Sequence, residues 1–210
     1  MVFKDRIEAA NLLADKLETY KGKNAVILAI PRGGVPLGYI IAKQLHLPLE
    51  VVLSKKIGHP FHKEYAIGAV TLKSQVLSDA AKEISKIYIE EETKKIRTLL
   101  TNRYQDYYGN KEPQDLKDKI LIIVDDGIAT GNTILSTIEM LHDEQPKRIV
   151  IAIPVSSQSA LQKLKNTPFV DEVICLSTPV NFRAVGQFYK NFDQVDDNQV
   201  KTFLNKVKIN

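Results

Sequence analysis

Two adjacent carboxylates, Asp125 and Asp126, directly follow the apolar run Ile120-Leu121-Ile122-Ile123-Val124 and precede Gly127-Ile128-Ala129-Thr130-Gly131-Asn132-Thr133. Isolated carboxylates are costly to bury, so a pair at this point belongs at the carboxyl end of a central strand, facing the crevice where open α/β sheets bind ligands. There they can accept hydrogen bonds from sugar hydroxyls. The residues after them are small or hydroxylated, and Ile134, Ile138 and Leu141 then recur at helical spacing. Such a loop lets backbone amides close on a phosphate, the helix N-terminus adds partial positive charge, and Thr130 and Thr133 add hydroxyl donors. Carboxylates for a diol followed at once by a phosphate nest describe a ribose 5-phosphate site. Asp-Asp-Gly alone would read as a solvated turn; the Thr-Gly-Asn-Thr run and the helix behind it shift the balance. Neither G-x-x-x-x-G-K-[ST] nor G-x-G-x-x-G occurs in the chain, which removes the other common phosphate loops.

A second anion site is predicted at Pro31-Arg32-Gly33-Gly34-Val35, after the run Ala25 to Ile30. Gly33 and Gly34 let backbone amides meet an anion, and Arg32 can pair with it through two N–H groups. A simple Pro-Gly turn is the competing reading. Lys55 and Lys56 follow the next apolar run. His59 and His62 form a lone H-x-x-H without a third ligand, which reads as a loop rather than a metal centre.

These residues need a scaffold. Asp5 and Glu8 open an amphipathic stretch through Ile7, Ala10, Leu13, Leu17 and Tyr20, predicting a helix that runs to Gly22. Strands are expected at Ala25–Ile30, Leu49–Leu53, Ile120–Val124, Arg148–Ile153 and Glu172–Leu176, with helices between most of them. That alternation predicts an α/β fold, a doubly wound, mainly parallel sheet. The stretch from about 78 to 110 reads as a helical insertion with a break near Ser85, and Val195 to Val207 as a closing helix. The whole of residues 1–210 reads as a single domain.

Composition narrows the classes. Hydrophobic residues make up 44% and charged residues 26%, so an ordinary folded domain is expected and disorder is disfavoured. The net charge of +4 comes from scattered lysines, with no basic block, which makes nucleic acid a poor partner. Cys175, the single cysteine, lies in an apolar run and reads as a core residue in a reducing compartment. With no signal-like N-terminus and no membrane-length apolar run, a cytoplasmic location is expected.

The string Val124-Asp125-Asp126-x-x-Ala129-Thr130-Gly131-x-Thr133 resembles the phosphoribosyl pyrophosphate (PRPP) signature of type I phosphoribosyltransferases. The resemblance implies that Asp125 and Asp126 hold the ribose hydroxyls, directly or through Mg²⁺, and that Gly127 and Ala129 to Thr133 hold the 5-phosphate. Pro31 to Val35 is similar to the family's pyrophosphate loop, and Lys55 and Lys56 to the start of the mobile loop that closes over it. Further markers place the chain with phosphoribosyltransferases of undefined acceptor: Phe3-Lys4-Asp5-Arg6, Lys56-Ile57-Gly58, Ala66-Ile67-Gly68-Ala69-Val70 and Val185-Gly186-Gln187-Phe188-Tyr189 with Phe192. Asn132 departs from the family's usual small residue. The family's 6-oxopurine branch has a proton-transferring aspartate where this chain has Ala129, which argues against hypoxanthine or guanine and leaves Glu64 as the candidate for a proton donor or a contact to the base.

The implied activity is transfer of the 5-phosphoribosyl group of PRPP to a nitrogen acceptor with release of pyrophosphate, with Asp125, Asp126, Lys56 and Glu64 as catalytic candidates and a homodimer as the common assembly. A non-catalytic PRPP sensor that binds nucleic acid or a partner protein is the alternative, and an unrelated nucleotide-binding domain a third reading. From about residue 177 to 210 a small hood is expected. Its aromatics Phe182, Phe188, Tyr189 and Phe192 either stack on an acceptor ring or pack the C-terminal helix onto the sheet.

Overall fold

The computed structural model describes residues 1–207. Five parallel strands form the main sheet: β1 (Ala25–Ala29), β2 (Leu49–Val51), β6 (Ile120–Val124), β7 (Arg148–Val155) and β8 (Glu172–Ser177), in the order β2-β1-β6-β7-β8. Between β2 and β6 lie three antiparallel strands that form a second sheet, β3 (Ser54–Gly58), β4 (Ala66–Thr71) and β5 (Gln75–Leu77). The helices are α1 (Arg6–Lys16), α2 (Gly34–Leu45), α3 (Lys86–Tyr108), α4 (Asn132–His142), α5 (Gln158–Lys165) and α6 (Asp197–Val207).

Period-two alternation explains why the central strands are apolar throughout. On β1, Ala25, Ile27 and Ala29 face the core shared with α1 and α2, while Val26 and Leu28 join Ile134, Ile138 and Leu141 of α4 on the other face. On β6, Ile122 and Val124 face one core, Leu121 and Ile123 the other. Buried on both sides, such strands carry no polar alternation. The chain leaves β1 toward β2 on one side and later builds β6, β7 and β8 on the other, so the strand order reverses between β1 and β6. A crevice opens outside the carboxyl ends of strands at such a reversal.

The expected sheet and its five strands are present, with ends shifted by a residue or two. Asp5 caps α1 by accepting from the amides of Ile7 and Glu8, both at 2.9 Å. That helix ends at Lys16 rather than Gly22, because a 3₁₀ turn over Glu18–Tyr20 tightens the end before Gly22 takes a left-handed φ of 67°. The insertion consists of a 3₁₀ turn at Asp79–Glu83 and then α3, so the break near Ser85 is real. Cys175 is half-buried and donates to the Ser177 carbonyl at 3.2 Å; burial pushes its thiol pKa up, away from thiolate chemistry.

Glu50 on β2 is buried, its Oε1 has no hydrogen-bond partner among the described residues, and the Lys111 ammonium lies 3.7 Å away. Burial raises its carboxyl pKa, with Lys111 pulling the other way. The folded chain therefore keeps a proton that the unfolded chain has already lost, and stability falls as pH rises through that window. Glu50→Gln is expected to melt about 2–4 °C above wild type near neutral pH. Below the ordinary carboxylate pKa of about 4 both states of wild type are protonated and the difference should vanish, which melts at the two pH values would check.

Candidate active site

The crevice at the β1–β6 reversal brings together the Arg32 turn and the Asp125–Asp126 pair. The Pro31–Arg32 peptide, which is cis, and Gly33 leave β1; Asp125 and Asp126 leave β6. The two turns touch. A Cβ on Gly33 would lie 2.0 Å from Asp126 Oδ2, and one on Gly34 would lie 2.5 Å from the Val124 carbonyl oxygen and 3.0 Å from Asp125 Cα. Both positions must be glycine for the anion loop to reach the carboxylates.

The carboxylates differ in their surroundings. Asp125 Oδ1 accepts the Asp126 amide at 2.8 Å, while Asp126 Oδ2 accepts Nε and Nη2 of Arg6 at 3.0 and 2.8 Å. Burial, and then the neighbouring Asp126 charge, pushes the Asp125 carboxyl pKa well above the ordinary carboxylate range. Burial also raises Asp126, which Arg6 partly offsets. Arg6 is itself fixed: Nη1 donates to the Asp193 carbonyl at 2.8 Å and its guanidinium lies 3.9 Å from the centre of the Phe192 ring. The Tyr189 hydroxyl donates to the Asp126 carbonyl at 2.6 Å.

Arg6 was visible in the sequence only as part of a marker without a role, and Tyr189 and Phe192 only as parts of a marker and as hood aromatics. Phe192 stacks on Tyr189 with ring centres 4.9 Å apart, Tyr189 in turn contacts Phe3, and Phe182 contacts Phe188. These aromatics pack against one another and hold Arg6 beside Asp126. Arg6→Gln would leave two half-buried carboxylates facing each other without a cation, and a loss of about 2 kcal/mol is expected. A denaturant titration checks it; an unchanged midpoint would mean that the pair contributes nothing net.

Beyond Asp126 the chain forms the loop that the sequence marked for phosphate. Gly127 is buried and Gly131 adopts a left-handed φ of 79° immediately before α4. The carbonyls of Ile128 and Ala129 accept from the Ser157 amide at 3.0 Å and the Ser157 hydroxyl at 2.6 Å. Among the described residues the amides of Ala129, Thr130, Gly131, Asn132 and Thr133 donate to no protein acceptor. With the carbonyls engaged and the amides free at the start of α4, the loop presents donors to an anion.

A cavity of about 620 Å³ lies between this loop and the small sheet, lined by Lys55, Lys56, Glu64, Thr130, Asn132 and Thr133 among others. The segment that the sequence marked as a mobile loop is here an antiparallel hairpin of β3 and β4, and β3 brings Lys55 and Lys56 to the lining of the cavity beside Thr130 to Thr133. Lys56 Nζ lies 2.8 Å from Glu64 Oε2. That hydrogen bond and charge lower the Glu64 carboxyl pKa, which suits a base better than the proton donor expected from the sequence. A second cavity of about 350 Å³ is lined by Arg6, Arg32, Gly33, Asp126 and Phe192 with Asp193 to Val195. Arg32 Nη1 lies 3.7 Å from Asp197 Oδ2, and the other oxygen of that carboxylate accepts the Tyr107 hydroxyl, so α3 and α6 both anchor Arg32. His59 and His62 lie at the hairpin tip with rings 5.8 Å apart, and no group of three or more His, Cys, Asp or Glu that could hold a metal occurs among the described residues.

Comparison with known proteins decides the family: residues 4–188 match the model of the phosphoribosyl transferase domain. The chain belongs to the phosphoribosyl transferase family. It is 34% identical over 209 residues to a Mycobacterium tuberculosis protein provisionally named a phosphoribosyl transferase, covering 98% of this chain and 47% of that protein. The chain thus spans about half the length of the curated relatives it matches first. A Thermus thermophilus protein, TT1426, superposes with a TM-score of 0.86 at 36% identity, covering 98% of this chain and 99% of that one. A shorter likeness, 42% identity over 67 residues, links 31% of the chain to 31% of the uracil phosphoribosyltransferase of Sulfolobus acidocaldarius. Among the described residues no helix is long and apolar enough to cross a membrane.

Proposed function

We propose that this phosphoribosyl transferase domain moves the 5-phosphoribosyl group of PRPP onto a nitrogen acceptor and releases pyrophosphate. One observation carries the reading: Gly33 and Gly34 press the Arg32 loop onto Asp126 and the Val124 carbonyl, so the Arg32 turn and the Asp125–Asp126 carboxylate pair share one crevice. PRPP needs that adjacency, because its pyrophosphate and its ribose hydroxyls sit on neighbouring carbons.

In this reading the free amides of Ala129 to Thr133 take the 5-phosphate, Asp125 and Asp126 orient the ribose hydroxyls, and the Arg32 loop with Lys55 and Lys56 receives the pyrophosphate. The bond from C1 to the pyrophosphate oxygen breaks and a bond from C1 to the acceptor nitrogen forms. The acceptor proton passes to a base or to water, and Glu64, held ionised by Lys56, is placed to accept it if the hairpin closes over the site. The residues fit Mg²⁺ brought in with the substrate, since that ion binds through one or two carboxylates completed by phosphates and water rather than in an all-protein cage. Asp125 and Asp126 would hold it, and it would supply neutralisation of the leaving pyrophosphate.

Coupled detection of pyrophosphate, with PRPP and a panel of nucleobases and amines, tests the proposal. Release that depends on one acceptor is expected. PRPP binding with no release under any acceptor would replace the enzyme by a PRPP-sensing domain.

A further inference from the structure

The phosphate loop contains one feature that its backbone does not explain. Lys163, in the last turn of α5, reaches across to place Nζ 3.3 Å from the Thr130 carbonyl and 3.4 Å from Asn132 Oδ1. Both partners are neutral oxygens, so they orient the ammonium without cancelling its charge. They also belong to the segment whose amides are free, so a full positive charge sits against a loop that otherwise offers only partial charges. Asn132 thereby gains a purpose that the sequence reading did not give it. Its side chain replaces the small residue usual at that position and supplies the second acceptor that holds Lys163. The Ser157 hydroxyl, bonded to the Ala129 carbonyl at 2.6 Å from the start of α5, keeps that helix in register with the loop.

We propose that Lys163 is a phosphate-binding residue of this site, positioned by Thr130 and Asn132, which strengthens the hold on the dianionic 5-phosphate. The proposal rests on reading residues 125–133 as the ribose 5-phosphate site. It concerns one end of the substrate only: the Arg32 loop, where pyrophosphate would lie, is built from other residues. Removing the ammonium should therefore weaken ligands that carry a 5-phosphate and leave pyrophosphate alone.

Calorimetric titration of the full chain with ribose 5-phosphate and, separately, with magnesium pyrophosphate tests this for wild type, Lys163→Met, Lys163→Arg and Asn132→Ala. Lys163→Met is expected to weaken ribose 5-phosphate about tenfold, the scale of one partly exposed cation against a dianion, and to flatten the salt dependence of its binding. Pyrophosphate affinity should not change, Lys163→Arg should restore most of the loss, and Asn132→Ala should lose part of it. Unchanged ribose 5-phosphate affinity in Lys163→Met, against clear binding by wild type, would overturn the role of Lys163 while leaving the site intact. Equal weakening of both ligands, not rescued by arginine, would assign Lys163 to structure and overturn the proposal as well. Failure of wild type itself to bind ribose 5-phosphate would remove the site reading and this proposal with it.

Discussion

Asp125→Asn is expected to lower PRPP affinity and any pyrophosphate release by about 10²–10³-fold while leaving the fold as stable as wild type or more so. The two halves of that result have one cause. Asp125 is held in a buried place beside a second carboxylate, and its pKa is raised mainly by burial and then by the Asp126 charge. Between the ordinary carboxylate pKa and that raised value the folded state holds a proton that the unfolded state has lost, so wild-type stability falls as pH rises across the window. Asparagine keeps the shape and can still accept the Asp126 amide that Asp125 Oδ1 accepts at 2.8 Å, but has no charge to desolvate. The variant should therefore melt above wild type near neutral pH and approach it in acid. What it loses is the anionic acceptor for sugar hydroxyls and their cation. Binding titrations and melts on the same preparation check both halves; a variant that loses affinity and stability together would make Asp125 a structural residue. Asp126→Asn should differ, because Arg6 would then be left without its anion.

Gly34→Ala is the second large effect, and the neighbouring Gly33→Ala separates its causes. A methyl on Gly34 would lie 2.5 Å from the Val124 carbonyl oxygen and 3.0 Å from Asp125 Cα, and neither backbone atom can move without shifting β6. The cost is placed at the upper end of overpacking, about 3 kcal/mol, with a melting point lower by about 6–12 °C and PRPP binding lost as the two turns part. A methyl on Gly33 meets the Asp126 carboxylate instead, at 2.0 Å from Oδ2. A side chain can swing away, so Gly33→Ala should lose less stability, yet it moves Asp126 off Arg6 and out of its place in the crevice and should cost PRPP affinity. Melts that rank Gly34→Ala well below Gly33→Ala, with both impaired in binding, are the expected pattern. Equal melting points would mean that the turns are less tightly pressed than their geometry requires.

The parts of this site that were legible in the sequence are those made by contiguous residues. Ile120 to Val124 announces itself because both of its faces are buried, and the loop from Asp125 to Thr133 keeps its chemistry within nine positions. The Arg32 loop was legible for the same reason. The small sheet was not. Ser54 to Gly58 has one fully buried side chain, Ile57, its pairing with β4 shifts register at Gly58, and glycine interrupts β4 at Gly68. Neither strand shows enough alternation to stand out from a loop.

Contacts between distant segments were equally hidden. Arg6 reaches Asp126 across 120 positions, and Lys163 reaches Asn132 across 31. Arginine near an N-terminus and lysine on an exposed helix are ordinary surface residues until the fold brings a carboxylate or a loop of free amides beside them. The hood aromatics show the same limit from the other side: the sequence supports stacking on a ligand and packing on the protein alike. In the structure Phe3 contacts Tyr189, Tyr189 stacks on Phe192 and Arg6 covers the Phe192 ring, which still lines the cavity beside Asp126.

The central claim is that the crevice between β1 and β6 is a cradle for PRPP, and calorimetric titration of the wild-type chain with PRPP, with and without Mg²⁺, tests it most directly. Saturable binding that tightens with Mg²⁺ and disappears in Asp125→Asn/Asp126→Asn is the predicted result; a wild-type chain that fails to bind PRPP in either condition would contradict it.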